Sequence, residues 1–163
     1  MEQPLAARRP PALAGPLVLA SGSPRRRELL RGAGVAFEIL PADIEERARS
    51  GEAPHALAER LALEKAQVVA QRLGPRPPRG VLGADTIVVV DADVLGKPVD
   101  PEDAVRLLAR LVGRAHRVLT AVALVESAGL RARSLVIESR VVMRAAGEDE
   151  IRRYVATGES LDK

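Results

Sequence analysis

The chain has 163 residues, an apolar fraction of 47% and a formal net charge of +3, which together predict one globular domain with a sizeable core. The absence of cysteine excludes disulfides and thiolate metal sites and favours a cytoplasmic protein. One tyrosine, one phenylalanine and no tryptophan argue against aromatic platforms that stack nucleic-acid bases, and the small charge excess argues against a nucleic-acid partner.

The first segment of the chain is predicted to be a tail. Residues 1–15 are broken by proline and only weakly apolar, which indicates a flexible N-terminal tail rather than a secretory signal, followed by one domain over residues 16–163. No apolar run approaches the length of a membrane span, so no membrane partner is expected. Leu17–Ala20 is predicted as a buried strand, and the helix after it has Ser23 as its N-cap and Pro24 at its first position.

The remaining elements alternate between strands and helices. The acidic segment 41–54, a proline-rich linker at 75–80, "DADV" and a turn at 127–129 are predicted as connections. Strands are predicted over 36–40, 81–90, 94–95, 117–125 and 135–143, and helices over 24–31, 56–73, 101–111 and 148–156. Because βα units and hairpins are mixed, we expect an α/β fold, with a mixed twisted sheet and helices on both faces.

The stretch "LASGSPRRRELL" joins the first strand to the first helix. A strand, a Gly/Ser turn and a helix N-terminus present unpaired N–H groups and the positive end of the helix dipole. Ser21 and Ser23 add hydroxyl groups, and Arg25 and Arg26 can each fork onto phosphate oxygens. The pattern favours binding of a polyphosphate, although it is not a Walker loop. The alternative is that Ser23 only caps the helix and the arginines form a solvated face.

Three further positions carry candidate site residues. Asp85 lies within "VLGADTIVVVD", where an unpaired carboxylate is costly to bury, and Thr86 beside it offers a hydroxyl. Lys97 in "LGKP" follows the hairpin from that strand and could lie beside Asp85. Lys65 lies along the apolar stripe of its helix and therefore points into a cleft or extends outward to solvent. The alternatives are a turn aspartate and two surface lysines.

The acidic loop "PADIEERARS" holds Asp43, Glu45 and Glu46. Carboxylates without histidine or cysteine suit a hard cation such as Mg²⁺ or Mn²⁺, and a solvated acidic loop is the alternative. Combined with Asp85, the lysines and the arginines, these carboxylates match metal-assisted attack of water on a phosphoanhydride. A cation would bridge phosphates, a carboxylate would activate water, and cationic side chains would hold the leaving phosphates.

Six motifs in order and spacing resemble the Maf family of nucleoside triphosphate pyrophosphatases. They are "LASGSPRRRELL", "GADTIVVV", "LGKP", "LTAVAL", "EDEIRRYVATGE" and "LDK", and they run from about Leu17 to the last residue. The resemblance implies an elongated α/β fold with a deep cleft, similar to inosine triphosphate pyrophosphatases, and a homodimer. It also implies hydrolysis of a nucleoside triphosphate to the monophosphate and pyrophosphate with a divalent metal, as house-cleaning of nucleotide pools.

The resemblance also implies roles for individual residues. Asp85 looks like the proton acceptor that activates water and, with Glu45, a metal-binding carboxylate. The residues that look like phosphate-binding or catalytic groups are Ser21, Arg25, Arg26, Lys65 and Lys97. Arg25 and Thr86 fit the branch of the family that prefers dTTP and UTP.

One departure from the family pattern concerns the end of the chain. The family continues past "LDK" with "AGAYGIQG", whose glutamine helps to read the base, whereas this chain stops at Lys163. We therefore expect a shortened domain, and a catalytically impaired nucleotide-binding or interaction protein is the alternative to an active pyrophosphatase. An arginine-rich RNA-binding module is a third hypothesis, which the low aromatic content and small net charge disfavour.

Overall fold

The computed structural model describes residues 17–73, 79–127 and 131–159. The predicted tail and most of the predicted linker and turn lie outside these ranges. The described elements are β1 (Leu17–Leu19), α1 (Pro24–Gly32), β2 (Phe37–Ile39), α2 (Pro54–Leu73), β3 (Gly80–Val90), β4 (Asp93–Leu95), α3 (Pro101–Ala109), β5 (Ala115–Glu126), β6 (Ala132–Val142) and α4 (Glu148–Ala156). Within the described ranges, no helix is both long and apolar enough to span a bilayer.

The strands form one mixed sheet in the order β2-β1-β3-β5-β6, and β4 also pairs with β3. β1 runs parallel to β2 and β3, whereas β3, β5 and β6 form an antiparallel series. The short parallel pairs come from the βα units at the start of the chain. Of the long antiparallel pairs, β5–β6 is a hairpin, whereas β3–β5 joins strands that are separated in the chain by β4 and α3. The predicted mixed α/β fold is confirmed.

One edge of β3 is interrupted next to Asp85. β1 pairs with this edge at Val81 and Leu82, and β4 pairs with it from Val88 onward. The opposite edge of β3 is paired continuously with β5 from Gly80 to Val89. Among the described strands, residues 83–87 therefore have no neighbour on the β1 side. We call this interval the β3 gap.

Helix α2 covers one face of the sheet and builds most of the core. Its buried face includes Leu57, Leu61 and Val69, which belong to the same apolar cluster as the buried residues of β3 and β5. A Cβ at Gly83 would lie 2.1 Å from the backbone oxygen of Ala62, so only glycine allows the helix to approach this closely. The close approach fixes α2, and every side chain on its buried face, relative to β3.

Helices α3 and α4 pack on each other and form a second, smaller core. Its buried members are Ala104, Val105, Ile151 and Val155. Asp100 caps α3 by accepting a hydrogen bond from the Asp103 N–H at 2.7 Å. This second cluster is separate from the large cluster that α2 builds with β3 and β5.

Candidate active site

A buried ion pair occupies the interface between β3 and α2. Asp85 and Lys65 are only 5% and 6% exposed, and the Lys65 Nζ lies 2.6 Å from the Asp85 Oδ1. Gly83 faces α2, and Asp85, two residues further along β3, faces the same way because side chains alternate along a strand. Lys65 lies on the buried face of the helix. The prediction that Lys65 shares the apolar stripe is confirmed. A buried charge is tolerable when it is paired, and here each residue supplies the partner of the other.

Glu46 joins this ion pair from the loop between β2 and α2 (residues 40–53). Its Oε1 lies 2.7 Å from the Lys65 Nζ, and its Oε2 lies 3.2 Å from the Lys97 Nζ. Partial burial raises the pKa of the Glu46 carboxyl, but the hydrogen bonds and charges of Lys65 and Lys97 outweigh this and lower it below its usual value. The lysine ammonium therefore contacts two carboxylates, one from a strand and one from a loop.

The structure does not bring Glu45 into this group. Its carboxylate is 70% exposed and pairs with Arg47 at 2.8 Å. The prediction that Glu45 binds the metal stays a prediction, and Glu46 is the loop carboxylate that contacts Lys65. Adjacent acidic residues in a loop give no periodicity by which sequence could tell them apart.

Arg26 connects the first turn to β3. Its guanidinium donates to the Ser21 Oγ at 3.0 Å, to the Ala84 carbonyl at 3.0 Å and to the Thr86 Oγ1 at 3.4 Å. Burial lowers the pKa of Arg26, and the nearby charges of Asp85 and Glu46 partly offset this. The side chain thus fills the β3 gap on both sides of Asp85, and several of its donors are already used by the protein.

Ser21 and Ser23 shape the turn that precedes α1. Ser23 occupies the N-cap position as predicted, but its side chain makes no capping hydrogen bond. Instead, the Ser23 N–H donates to the Ser21 Oγ at 3.3 Å, and Ser21 is buried. Arg25 is exposed and close enough to Arg26 to contribute to lowering its pKa, after the larger effect of burial. The turn that carries Arg25 and Arg26 therefore lies beside the carboxylates of Asp85 and Glu46.

Thr86 lies on the other face of the sheet. Consecutive residues of a strand point to opposite faces, so the Thr86 side chain points away from the α2 side that Asp85 faces. Its Oγ1 lies 3.3 Å from the Thr120 Oγ1 on β5 and is linked to the turn through Arg26. The structure therefore brings Thr86 next to the candidate site but not into contact with the ion pair.

The site contains two carboxylates that could share a divalent cation. Asp85 and Glu46 contact the same ammonium nitrogen of Lys65, which brings their oxygens close together. Across the described ranges, no group of three or more His, Cys, Asp or Glu side chains could hold a metal ion. Mg²⁺ is often held by one or two carboxylates together with substrate phosphates. The residues present fit a cation that is completed by a phosphate ligand.

Comparison with known proteins identifies the family. The family model described as "Maf-like protein" matches residues 16–163. The chain belongs to the Maf-like family. A dTTP/UTP pyrophosphatase from Hahella chejuensis is 51% identical over 147 residues, which cover 90% of this chain and 72% of that protein. A second dTTP/UTP pyrophosphatase, from Aromatoleum aromaticum, is 50% identical over 158 residues, with coverage of 90% and 76%.

A solved structure is also similar to this member of the Maf-like family. It is a nucleoside-triphosphatase, or dITP/XTP pyrophosphatase, from Mycobacterium abscessus, with a TM-score of 0.48 and 22% identity. The match covers 77% of this chain and 72% of that chain.

Proposed function

We propose that this chain hydrolyses dTTP, UTP and modified pyrimidine nucleoside triphosphates to the monophosphate and pyrophosphate. The observation that carries the proposal is the convergence of Asp85 and Glu46 on the Lys65 ammonium, at 2.6 and 2.7 Å, beside the Arg26 turn. Relatives that are about half identical to this chain bear the name dTTP/UTP pyrophosphatase, and their substrates suit the same set of groups.

Asp85 is the residue that accepts the proton from the attacking water. Its Oδ1 is held by Lys65, so the carboxylate is fixed in orientation. The water oxygen forms a bond to the α-phosphorus, the bond from that phosphorus to the bridging oxygen breaks, and pyrophosphate leaves. Positioned general bases of this kind contribute about 10²–10⁴-fold to a rate.

The phosphate chain binds at the turn before α1. Ser21 already accepts hydrogen bonds from Ser23 and Arg26, so its hydroxyl hydrogen is the group that it offers to a phosphate oxygen. The N–H groups at the start of α1 favour anions, and Arg25 and Lys97 supply further positive charge. Arg26 uses several donors within the protein and mainly fixes this turn against β3.

Asp85 and Glu46 would hold Mg²⁺ or Mn²⁺ together with the substrate. Bound there, the cation would offset the negative charge of the phosphates and polarise the reacting centre. Lys65 keeps the two carboxylates together, and Lys97 holds the second oxygen of Glu46.

Turnover in labelled water tests the proposal. The chain is incubated with dTTP and Mg²⁺ or Mn²⁺ in H₂¹⁸O. The products are separated and their masses are determined by mass spectrometry, and dATP is the comparison substrate. We expect dTMP and pyrophosphate, with the label in dTMP because water attacks the α-phosphorus. Label in pyrophosphate contradicts the mechanism. Retained dTTP binding without turnover favours the nucleotide-binding alternative.

A further inference from the structure

The loop that carries Glu46 is held by an ion pair away from the proposed reacting groups. Arg60 on α2 donates through Nε to the Glu52 Oε1 at 2.6 Å and through an η nitrogen to the Glu52 Oε2 at 2.7 Å. The two side chains are only 16% and 10% exposed. A bidentate, largely buried pair of this kind is geometrically more restrictive than a surface ion pair. We call it the Arg60–Glu52 clamp.

The clamp also binds the loop backbone next to Glu46. The Arg60 guanidinium donates to the Arg47 carbonyl at 2.9 Å, one residue beyond Glu46. The Glu52 carboxylate accepts the Arg49 N–H at 3.0 Å. The clamp therefore holds the loop at Arg47 and Arg49, which follow Glu46 in the chain. Between Glu46 and α2 the described chain forms no helix or strand.

The same helix supplies both the clamp and the ammonium that Glu46 contacts. Arg60 and Lys65 both lie on α2, which the close approach at Gly83 fixes against β3. Movement of the loop relative to α2 would therefore change the distance between Glu46 and Lys65. An arginine fork resists that movement, whereas the single ammonium of a lysine could not reproduce its several directed hydrogen bonds.

We propose that Arg60 is a positioning residue that acts through Glu52 and the Arg47 carbonyl to hold Glu46 against Lys65. This inference rests on the proposed pyrophosphatase function, because it assigns Arg60 a part in the same reaction. Arg60 does not touch the reacting groups. Its fork lowers the pKa of Glu52 to about 2, so the clamp stays charged at neutral pH.

Limited proteolysis tests whether the clamp holds the loop. Trypsin cleavage after Arg47 and Arg49 is followed by mass spectrometry in wild type, Arg60→Lys and Glu52→Gln, without ligand. We expect cleavage at least about tenfold faster in both variants, because the loop opens more often. The matched control is Arg106→Lys, which changes an exposed ion pair with Asp103 on α3 and should cleave as wild type does. Unchanged cleavage in both clamp variants overturns the proposal.

Kinetics then test whether the clamp acts on Glu46. In Arg60→Lys we expect kcat for dTTP to fall about tenfold or more while KM changes less, because a carboxylate moved by a fraction of an ångström loses its alignment. Thermal melting shows that each variant is folded. Faster cleavage with unchanged kcat means that the clamp is merely structural and overturns the positioning role.

A double-mutant cycle separates a positioning role from general destabilisation. If Arg60 acts through Glu46, then Arg60→Lys should lower kcat little further when Glu46→Gln is already present. Losses that multiply independently overturn the proposal. If the wild-type chain shows no turnover, the proposed function fails, and the cleavage ratios alone then support or overturn the hold of the clamp on the loop.

Discussion

The two carboxylates at the site are supported in different ways. Asp85 lies on β3, a strand with many buried apolar residues. Helix α2 packs on this strand so closely that its backbone contacts Gly83. Glu46 lies on a loop that is held by directed hydrogen bonds to Arg60 and Glu52. Both reach the same Lys65 ammonium at nearly equal distances. One half of the site is therefore fixed by packing and the other half by polar contacts.

Because of this difference, we expect the two halves of the site to respond differently to substitutions, salt and pH. Packing is insensitive to salt and pH but intolerant of added volume. A polar network tolerates changes of volume but fails when a donor, an acceptor or a charge is removed. Substitutions in each half therefore distinguish the two kinds of support.

Asp85→Asn removes the proposed base while keeping the shape of the strand-borne half. We expect dTTP turnover to fall about 10³-fold, since a general base contributes about 10²–10⁴-fold, whereas dTTP binding is largely retained. Steady-state kinetics and equilibrium binding of dTTP measure the two effects. Turnover equal to wild type would remove Asp85 from its role.

Gly83→Ala tests the packing of the strand-borne half. The new Cβ would lie 2.1 Å from the Ala62 oxygen and 2.8 Å from the Ala66 nitrogen, so α2 must move. We expect the free energy of unfolding to fall by about 3 kcal/mol, at the upper end for overpacking, as measured by urea denaturation. Gly32→Ala is the control, because its Cβ would meet nothing within 4 Å. Equal stability of the two variants would show that the helix–strand approach is not tight.

Glu46→Gln and Glu45→Gln form a matched pair for the loop-borne half. Of the two glutamates, only Glu46 contacts Lys65 and Lys97, so we expect its variant to lose about 10–100-fold in kcat, the usual range when a hydrogen-bonding partner at a metal or catalytic centre is removed. The Glu45 variant should differ little from wild type. The opposite ranking would favour Glu45, the residue that the motif resemblance implied, as the metal-binding carboxylate.

The sequence predicted the packed half of the site better than the loop. The strand that carries Asp85, the helix that carries Lys65 and the turn at Ser21 were all predicted, because apolar periodicity and Gly, Ser and Pro signals are local. The bounds of α4 were predicted as observed. Strand β5 extends beyond both of its predicted ends, and β6 begins three residues earlier than predicted but ends one residue earlier, because pairing across the hairpin recruits residues without a strand pattern of their own.

The contacts that complete the site depend on residues far apart in the chain. The bond from Arg26 to the Ala84 carbonyl and that from Arg60 to the Arg47 carbonyl are set by how the elements pack. A pattern of residue types therefore identifies the arginines as candidates for phosphate binding but does not show which donors the protein itself uses. Which of Glu45 and Glu46 contacts Lys65 likewise depends on the position of the loop.

Acidification should lower the stability of the whole fold before it loosens the loop that carries Glu46, with the smallest effect of the four. His116 on β5 is buried, its Nδ1 has no hydrogen-bond partner within the described ranges, and burial lowers its pKa. As the pH falls from 7 through the usual histidine value of about 6.5, the unfolded chain binds this proton before the folded chain does, so stability decreases. Glu52 acts in the same direction but at lower pH. Because its pKa is about 2, its stabilising contribution persists above the unfolded value of about 4.3 and is lost only below it.

Between pH 7 and 5, urea denaturation should therefore show a loss of stability that is smaller in His116→Leu, while tryptic cleavage in the loop of the folded protein, corrected for the pH dependence of trypsin, stays constant. An equal loss in His116→Leu would mean that another group carries the acid sensitivity.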